Sequence, residues 1–252
     1  MNFNKDFYKQ EKAAVIELIK NSHDWDNTEG FIADGIINPD IYENQQLKVL
    51  VILAESYGYD ECCMIEIENQ ADDDILGLGS STVQTPRKIA TLLWLLFKSL
   101  EKGEKIAWDD FPSLFSISDV NYKELQSTLL KIAWINVKKA SKCCDNGTKQ
   151  AYGDITRHSY KNQEILTRQI NSIVPDLVIA CSNPVIESVN DMGLLGDDIQ
   201  EVKWKVQINS NGQKIIYLNH PSYISDWGYE GVYRIFEMIY DSLNIDSTPS
   251  NN

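Results

Sequence analysis

The stretch that decides the fold is KVLVILAE, residues 48–55, an apolar and partly β-branched run that ends in a carboxylate. This length and composition predict a strand buried on both faces, as in a parallel sheet covered by helices. Glu55 would then leave the core at the carboxyl end of that strand.

Similar runs recur along the chain and alternate with helical patterns. Strands are also predicted at 132–137, 176–182, 202–208 and 214–220, and helices at 6–22, 85–103, 159–176 and 230–243. For the second helix we expect Thr85 as N-cap, Pro86 at the first helical position and Gly103 as the stop. The alternation predicts an α/β fold, a three-layer α/β/α domain with a mostly parallel central sheet. We expect a single domain over residues 1–244 and a disordered tail over 245–252.

The chain is acidic, with a formal net charge of −14. Residues 1–80 hold 17 acidic and 5 basic residues, whereas residues 136–170 hold 7 basic and 3 acidic ones. The total opposes binding to a polyanion, which requires Lys and Arg to displace counterions. The middle segment is therefore either a surface for nucleic acid or a nucleotide, or a solvated loop with scattered lysines.

Cysteine usage and hydropathy predict a cytoplasmic protein without a metal, a cofactor or a membrane segment. The five cysteines include two adjacent pairs, Cys62–Cys63 and Cys143–Cys144, which lack the spacing of a zinc or iron–sulfur site. The acidic run at 72–74 is typical of a solvated loop. No apolar run has membrane-spanning length, and no signal peptide is expected at the N-terminus.

Functional residues of a parallel α/β sheet gather beyond the carboxyl ends of its strands. That rule selects four loops: AESYGYDE at 54–61, NVKKASK at 136–142, CSNP at 181–184 and NHPSYIS at 219–225. Each places polar groups immediately after an apolar run.

Taken in order, these loops resemble motifs of the uracil-DNA glycosylase superfamily in its bacterial family 4 and 5 form. LAESYG is similar to an apolar strand ending in Gly-Glu-Ala-Pro-Gly, and WINVKKASK resembles Thr-Asn-Val-Val-Lys-Cys. PDLVIACSNPVIESV resembles a strand–turn–helix that reads Pro-x-Val-Ile-x-Leu-Gly, and NHPSYIS is similar to His-Pro-Ser-Pro-Leu-Ser. The resemblance spans residues 48–226 and implies a uracil-DNA glycosylase-like fold, with an insertion near 104–127. Ala54, Tyr57 and Tyr223 depart from the motifs, and the iron–sulfur cysteines of family 4 have no counterpart.

The chemistry of N-glycosidic cleavage suits two of these residues as catalytic groups. Positive charge develops on the sugar, where the Glu55 carboxylate would stabilise it and orient water. Negative charge develops on the departing base, where the His220 imidazole would donate a hydrogen bond. Each has an alternative role, Glu55 as a cap and His220 as a structural histidine.

The remaining candidates would bind the base and the phosphates. Asn136 suits the Watson–Crick edge of a flipped base, or it is a turn former. Tyr57, Tyr59 and Tyr223 are equivalent candidates for stacking on the base. The resemblance implies that Ile224 is the apolar wedge that fills the hole left by the flipped base. The alternative is that Ile224 makes an ordinary core contact. The nucleic-acid contacts would be completed by Lys138, Lys139, Lys142 and Ser222.

These observations predict a protein that recognises a nucleobase and hydrolyses an N-glycosidic bond of a damaged or modified base in DNA. The alternative is a non-catalytic member of the fold that binds a nucleotide or a protein. The net charge and the departures from the first motif favour that alternative. A third possibility is action on a nucleoside or nucleotide, which tolerates an acidic surface.

Overall fold

The computed structural model describes residues 2–21, 30–54, 65–66, 84–111, 119–141, 152–191, 193, 200–203, 206–210, 212–221 and 224–244. The strands are β1 (Gly30–Ala33), β2 (Gly35–Ile36), β3 (Val49–Leu53), β4 (Ile65–Glu66), β5 (Ala133–Asn136), β6 (Ala140–Ser141), β7 (Leu177–Cys181), β8 (Gln200–Lys203), β9 (Val206–Ile208) and β10 (Lys214–Leu218). The helices are α1 (Lys5–Asn21), α2 (Pro39–Glu43), α3 (Gln84–Lys102), α4 (Asp119–Leu129), α5 (Tyr152–Lys161), α6 (Gln163–Ile173), α7 (Asn183–Asp191), α8 (Ile224–Trp227) and α9 (Tyr229–Asn244).

Strand β3 is buried along its whole length because helices cover both faces of the sheet. Alternate side chains of a strand point to opposite faces. Val49, Val51 and Leu53 pack in one apolar cluster with residues of α3, α4 and α9. Leu50 and Ile52 pack in a second cluster with residues of α5, α6 and α7. The predicted burial of this strand on both faces is confirmed.

The main sheet has seven strands in the order β2-β5-β3-β7-β10-β9-β8. Strands β5, β3, β7 and β10 form a central parallel block. The flanking strands β2, β9 and β8 are antiparallel to their neighbours. The predicted mixed α/β architecture is confirmed, and its parallel part is this central block. A separate small sheet has the order β4-β1-β6.

Several predicted boundaries need correction. Helix α3 begins at Gln84, so Thr85 and Pro86 lie inside its first turn. The helix predicted at 159–176 is two helices, α5 and α6, which meet at Asn162. The strand predicted at 202–208 is part of the antiparallel pair β8 and β9, in which Lys203 pairs with Val206.

The predicted end of α3 is confirmed. Gly103 ends α3 in a left-handed conformation, with φ of 72°, which favours glycine because it lacks a Cβ. Helix α6 ends before Pro175. None of the helices in the described part of the chain is long and apolar enough to cross a membrane. The predicted tail at 245–252 lies outside the described residues.

Candidate functional site

The four parallel strands end at one edge of the sheet, which we call the carboxyl edge. Ala54 follows β3, Asn136 ends β5, Ser182 follows β7 and Asn219 follows β10. The hydrogen-bonded ladder continues beyond the strands, since the Lys138 N–H donates to the Ala54 carbonyl at 2.9 Å and the Ser182 N–H to the Leu218 carbonyl at 2.8 Å. The described parts of the four loops therefore begin at one edge of the sheet.

The order of the strands places a topological switch point between β3 and β7. From β3 the chain crosses to β5 on one side, and β7 and β10 then follow on the other. Crossovers on opposite sides leave a crevice outside the carboxyl ends, where ligands of open α/β sheets bind. The crevice is flanked by Ala54 on β3 and by Ser182 on β7.

At the β5 end of this edge, Asp34 organises a buried polar cluster. Its carboxylate accepts hydrogen bonds from Lys139 Nζ at 2.6 Å, from the Asn136 backbone N–H at 2.6 Å and from Gln169 Nε2 at 3.0 Å. Gln169 Nε2 also donates to the Asp34 carbonyl at 3.1 Å. A carboxylate and an ammonium without solvent contact require this degree of pairing.

The cluster corrects the prediction that Lys138 and Lys139 contact phosphates. Lys138 is 1% exposed and Lys139 is 0% exposed, with its ammonium paired to Asp34. Burial lowers the pKa of Lys139, although the hydrogen bond and charge of Asp34 oppose that effect. The exposed basic surface predicted at Lys138 and Lys139 is therefore absent from the structure, and the Lys139 ammonium is already neutralised by Asp34.

Asn136 is also turned toward the interior. The residue is 3% exposed, and its side-chain Nδ2 lies 3.3 Å from the Asp34 carboxylate as a donor. A base edge would have to compete with Asp34 for this amide. The contact favours a structural role for Asn136 over the predicted role, in which its amide binds the edge of a base.

Sequence reasoning missed Asp34 and the residues that hold it. Gly35 has a φ of 146°, and a Cβ built there would lie 2.6 Å from the Tyr8 hydroxyl oxygen. That hydroxyl accepts a hydrogen bond from the Ile36 N–H at 2.8 Å, which joins α1 to β2. The available signal was an acid followed by glycine inside the apolar stretch FIADGII, residues 31–37.

At the switch point, Ser182 has an unusual conformation. Its φ of 95° is sparsely populated by residues other than glycine. Its Oγ is buried and accepts or donates no hydrogen bond among the described residues. Ser182 joins β7 directly to α7, so the predicted strand–turn–helix is confirmed, with serine where the resembled motif has glycine.

His220 lies two residues beyond β10, in a loop that its neighbours close. The Asn219 carbonyl accepts a hydrogen bond from Trp227 Nε1 at 2.8 Å, and Asn219 Nδ2 donates to the Asp226 carboxylate. Trp227 is fully buried, so α8 anchors the loop to the core. The half-buried His220 is thereby held at the carboxyl edge.

A buried cation reaches the same loop from α3. Lys88 Nζ donates a hydrogen bond to the Pro221 carbonyl at 2.7 Å, and Lys88 is 6% exposed. Burial lowers the pKa of Lys88. Sequence reasoning did not select this residue, because its position in an amphipathic helix resembles that of any surface lysine.

Several predicted site residues have no described position. Glu55, Tyr57, Tyr59, Lys142, Ser222 and Tyr223 lie outside the described residues. Ile224 begins α8, and its side chain is likewise not described. The roles predicted for these residues remain predictions.

Within the described ranges, no group of three or more His, Cys, Asp and Glu side chains is placed to hold a metal ion. Comparison with known proteins gives no family: no protein-family model and no curated protein matches the chain.

Proposed function

We propose that the carboxyl edge binds a nucleobase and that the chain hydrolyses the N-glycosidic bond of that base. The single observation that supports this proposal is the convergence of the strand ends, with His220 beyond β10 and Ala54, the residue before Glu55, beyond β3. Only β7 lies between β3 and β10, so their ends are about 10 Å apart at roughly 4.8 Å per strand. A sugar near one strand end and its base near the other would span that separation.

In the proposed reaction, a water oxygen bonds to the anomeric carbon and the bond from that carbon to the base nitrogen breaks. The bonding pair leaves with the base. The Glu55 carboxylate stabilises the positive sugar and takes a proton from the water, and the His220 imidazole stabilises the negative charge on the base by hydrogen bonding. The base then acquires a proton and departs.

The proposal is tested by the release of free base from DNA that contains uracil or hypoxanthine, and from the corresponding nucleotides. We expect Glu55→Gln and His220→Ala each to lower the rate by about 100-fold or more, the usual contribution of a positioned acid–base group. His158→Ala on α5 is the matched control and should leave the rate unchanged. The absence of release by the wild type from every substrate, or unchanged release by His220→Ala, would contradict the proposal.

A second function, binding without catalysis, is favoured by the hydrogen bonds to Asp34 at the β5 end. The Asn136 amide and the Lys139 ammonium are both engaged by Asp34. They are therefore not presented to a base or a phosphate. This alternative predicts that nucleotides bind at the carboxyl edge and are recovered intact after prolonged incubation.

A further inference from the structure

Three of the four buried lysines in the described part of the chain differ in what compensates their charge. Lys139 is paired with the Asp34 carboxylate at 2.6 Å. Lys214 Nζ donates to the Ser242 carbonyl at 2.7 Å and lies 3.4 Å from the Leu243 carbonyl, in the last turn of α9. The negative end of a helix stabilises a cation, so Lys214 also has a favourable environment.

Lys88 has neither kind of compensation in the described part of the chain. Its ammonium has three donors, and its one hydrogen bond there is to the Pro221 carbonyl. A buried ammonium without a negative partner is costly, which is why such groups are normally paired. Nothing in the packing of α3 requires a charge at this position, because the neighbouring Ile89 and Leu92 are ordinary core residues.

The helix makes the position of Lys88 still less favourable. Lys88 and Arg87 follow directly on the start of α3, a helix of 19 residues whose first turn contains no acidic residue. The amino end of a helix carries partial positive charge and stabilises anions. Lys88 thus places positive charge near that end and beside the loop that carries His220, in a chain whose net charge is −14.

We propose that Lys88 binds the phosphate group of a nucleotide whose base lies at the carboxyl edge. The inference of an anion rests on the burial of Lys88 and on its one described hydrogen bond, and only the identification of that anion as a nucleotide phosphate rests on the proposed function. A phosphate oxygen would accept hydrogen bonds from the ammonium donors that Pro221 leaves unused. The phosphate could belong to a nucleoside monophosphate or to a DNA strand, and the experiment separates these sources.

The test measures binding by calorimetry to the full chain with four probes: inorganic phosphate, deoxyuridine, deoxyuridine monophosphate and a short uracil-containing single strand. The variants are Lys88→Met, which keeps the length of the side chain, and Lys88→Gln, which keeps a polar end. The matched control is Lys98→Met, on the same helix, where the exposed ammonium pairs with Glu101 at 3.3 Å. Circular dichroism verifies that each variant is folded.

We expect the wild type and Lys98→Met to bind deoxyuridine monophosphate about 10-fold or more tightly than deoxyuridine, as a charge-assisted contact predicts. Both Lys88 variants should lose that difference, and both should lose binding of inorganic phosphate. An effect of Lys88 on the single strand as large as on the monophosphate would identify a DNA phosphate as the source. An effect confined to the monophosphate would identify the free nucleotide.

The proposal is overturned if the wild type binds neither phosphate nor the monophosphate, or if both Lys88 variants bind them as the wild type does. Its failure is distinct from failure of the proposed hydrolysis. Phosphate binding that depends on Lys88, without release of base, would leave the anion site standing and remove the enzyme. Release of base at an unchanged rate in the Lys88 variants, without phosphate binding that depends on Lys88, would support the hydrolysis and remove the anion site.

Discussion

The two ends of the carboxyl edge differ in whether their buried polar groups have hydrogen-bond or charge partners among the described residues. At the β5 end, the Lys139 ammonium pairs with the Asp34 carboxylate, and that carboxylate has three further donors, the backbone N–H and Nδ2 of Asn136 and Nε2 of Gln169. At the β7–β10 end, the described partners of Lys88 amount to one carbonyl, and the Ser182 hydroxyl has none. We expect the first arrangement to contribute to the stability of the fold and the second to cost stability, which agrees with the binding role proposed for Lys88.

This difference moves the candidate site along the sheet. The resemblance and the motif order placed Asn136 and the lysines after it in the base pocket. The structure pairs Asn136 and Lys139 with Asp34. Toward β10, the Ser182 hydroxyl has no described partner and Lys88 has one backbone carbonyl. The site is therefore best sought between β3 and β10, with β5 as its supporting wall.

The largest effect is expected from Asp34→Ala. The substitution leaves the buried Lys139 ammonium without its counter-charge and should lower the free energy of unfolding by about 3–5 kcal/mol. Urea denaturation followed by circular dichroism measures the change. The matched control is Asp40→Ala, which removes an exposed acid that pairs with Lys5 at 2.7 Å and should have a much smaller effect, because solvent screens exposed ion pairs. Similar losses in the two variants would contradict the distinction drawn here.

The next effect is the coupling between Asp34 and Lys139. In an Asp34→Leu and Lys139→Met double variant no unpaired charge remains, so its loss of stability should be smaller than the sum of the single losses. A double-mutant cycle should give a coupling of about 1–3 kcal/mol, in the range of residues that share a network. Additive losses would show that the pair is not a stabilising unit.

Lys88→Met should change stability in the other direction. Removing a buried charge that has no carboxylate partner is expected to raise the free energy of unfolding by about 1 kcal/mol at neutral pH. Urea denaturation of the variant and of Lys98→Met gives the comparison. A loss above about 1 kcal/mol in Lys88→Met alone would mean that the lysine supports the fold.

The difference in stability between the wild type and Lys88→Met should also depend on pH. The pKa of Lys88 is lowered in the folded state, so between that value and 10.5 the unfolded chain binds more protons than the folded one. The stability contributed by Lys88 therefore rises with pH across that window. The free energy of unfolding of the wild type should therefore rise relative to that of Lys88→Met as pH increases from 7 toward 10. A constant difference would show that Lys88 keeps an ordinary pKa.

The smallest effect is expected from Ser182→Gly. Glycine adopts the positive φ of this position without strain and removes the unpaired hydroxyl, and these gains exceed the added entropy of the unfolded chain. We expect an increase of about 0.5 kcal/mol in the free energy of unfolding, measured by urea denaturation. Ser188→Gly on α7 removes a hydroxyl that donates a hydrogen bond to the Pro184 carbonyl at 2.6 Å, so this variant should instead be destabilised. A destabilised Ser182→Gly would show that the hydroxyl has a structural partner.

The parts of the fold that could be predicted are those specified by local pattern. The runs that became β3, β7 and β10 are apolar and short, and the helix signals around Pro86 and Gly103 depend only on neighbouring residues. The two-residue strands β2, β4 and β6 carry too few side chains to form a pattern. The break between α5 and α6 at Asn162 interrupts a helical period that continues on both sides.

The candidate site was harder to predict, because its burial depends on residues far away in the chain. Lys138 and Lys139 read as a basic surface, and only the position of Asp34, about a hundred residues earlier, makes the interior acceptable to a charge. Lys88 was missed for the opposite reason, since nothing adjacent to it marks it as buried. By contrast, His220 was correctly placed at a strand end, because an apolar run followed by His-Pro is a local signal.

Asp34 has a consequence for how the sheet is assembled. Its partners Asn136, Lys139 and Gln169 are separated from it by 102, 105 and 135 residues. These contacts close long loops, so we expect them to form late in folding. Strand β2, which Asp34 precedes, is the strand that covers the outer edge of β5. Until it docks, the backbone of β5 is an open template for pairing with another chain. We therefore expect the contacts of Asp34 to help hold β2 against β5 and so to limit pairing of that edge with another chain.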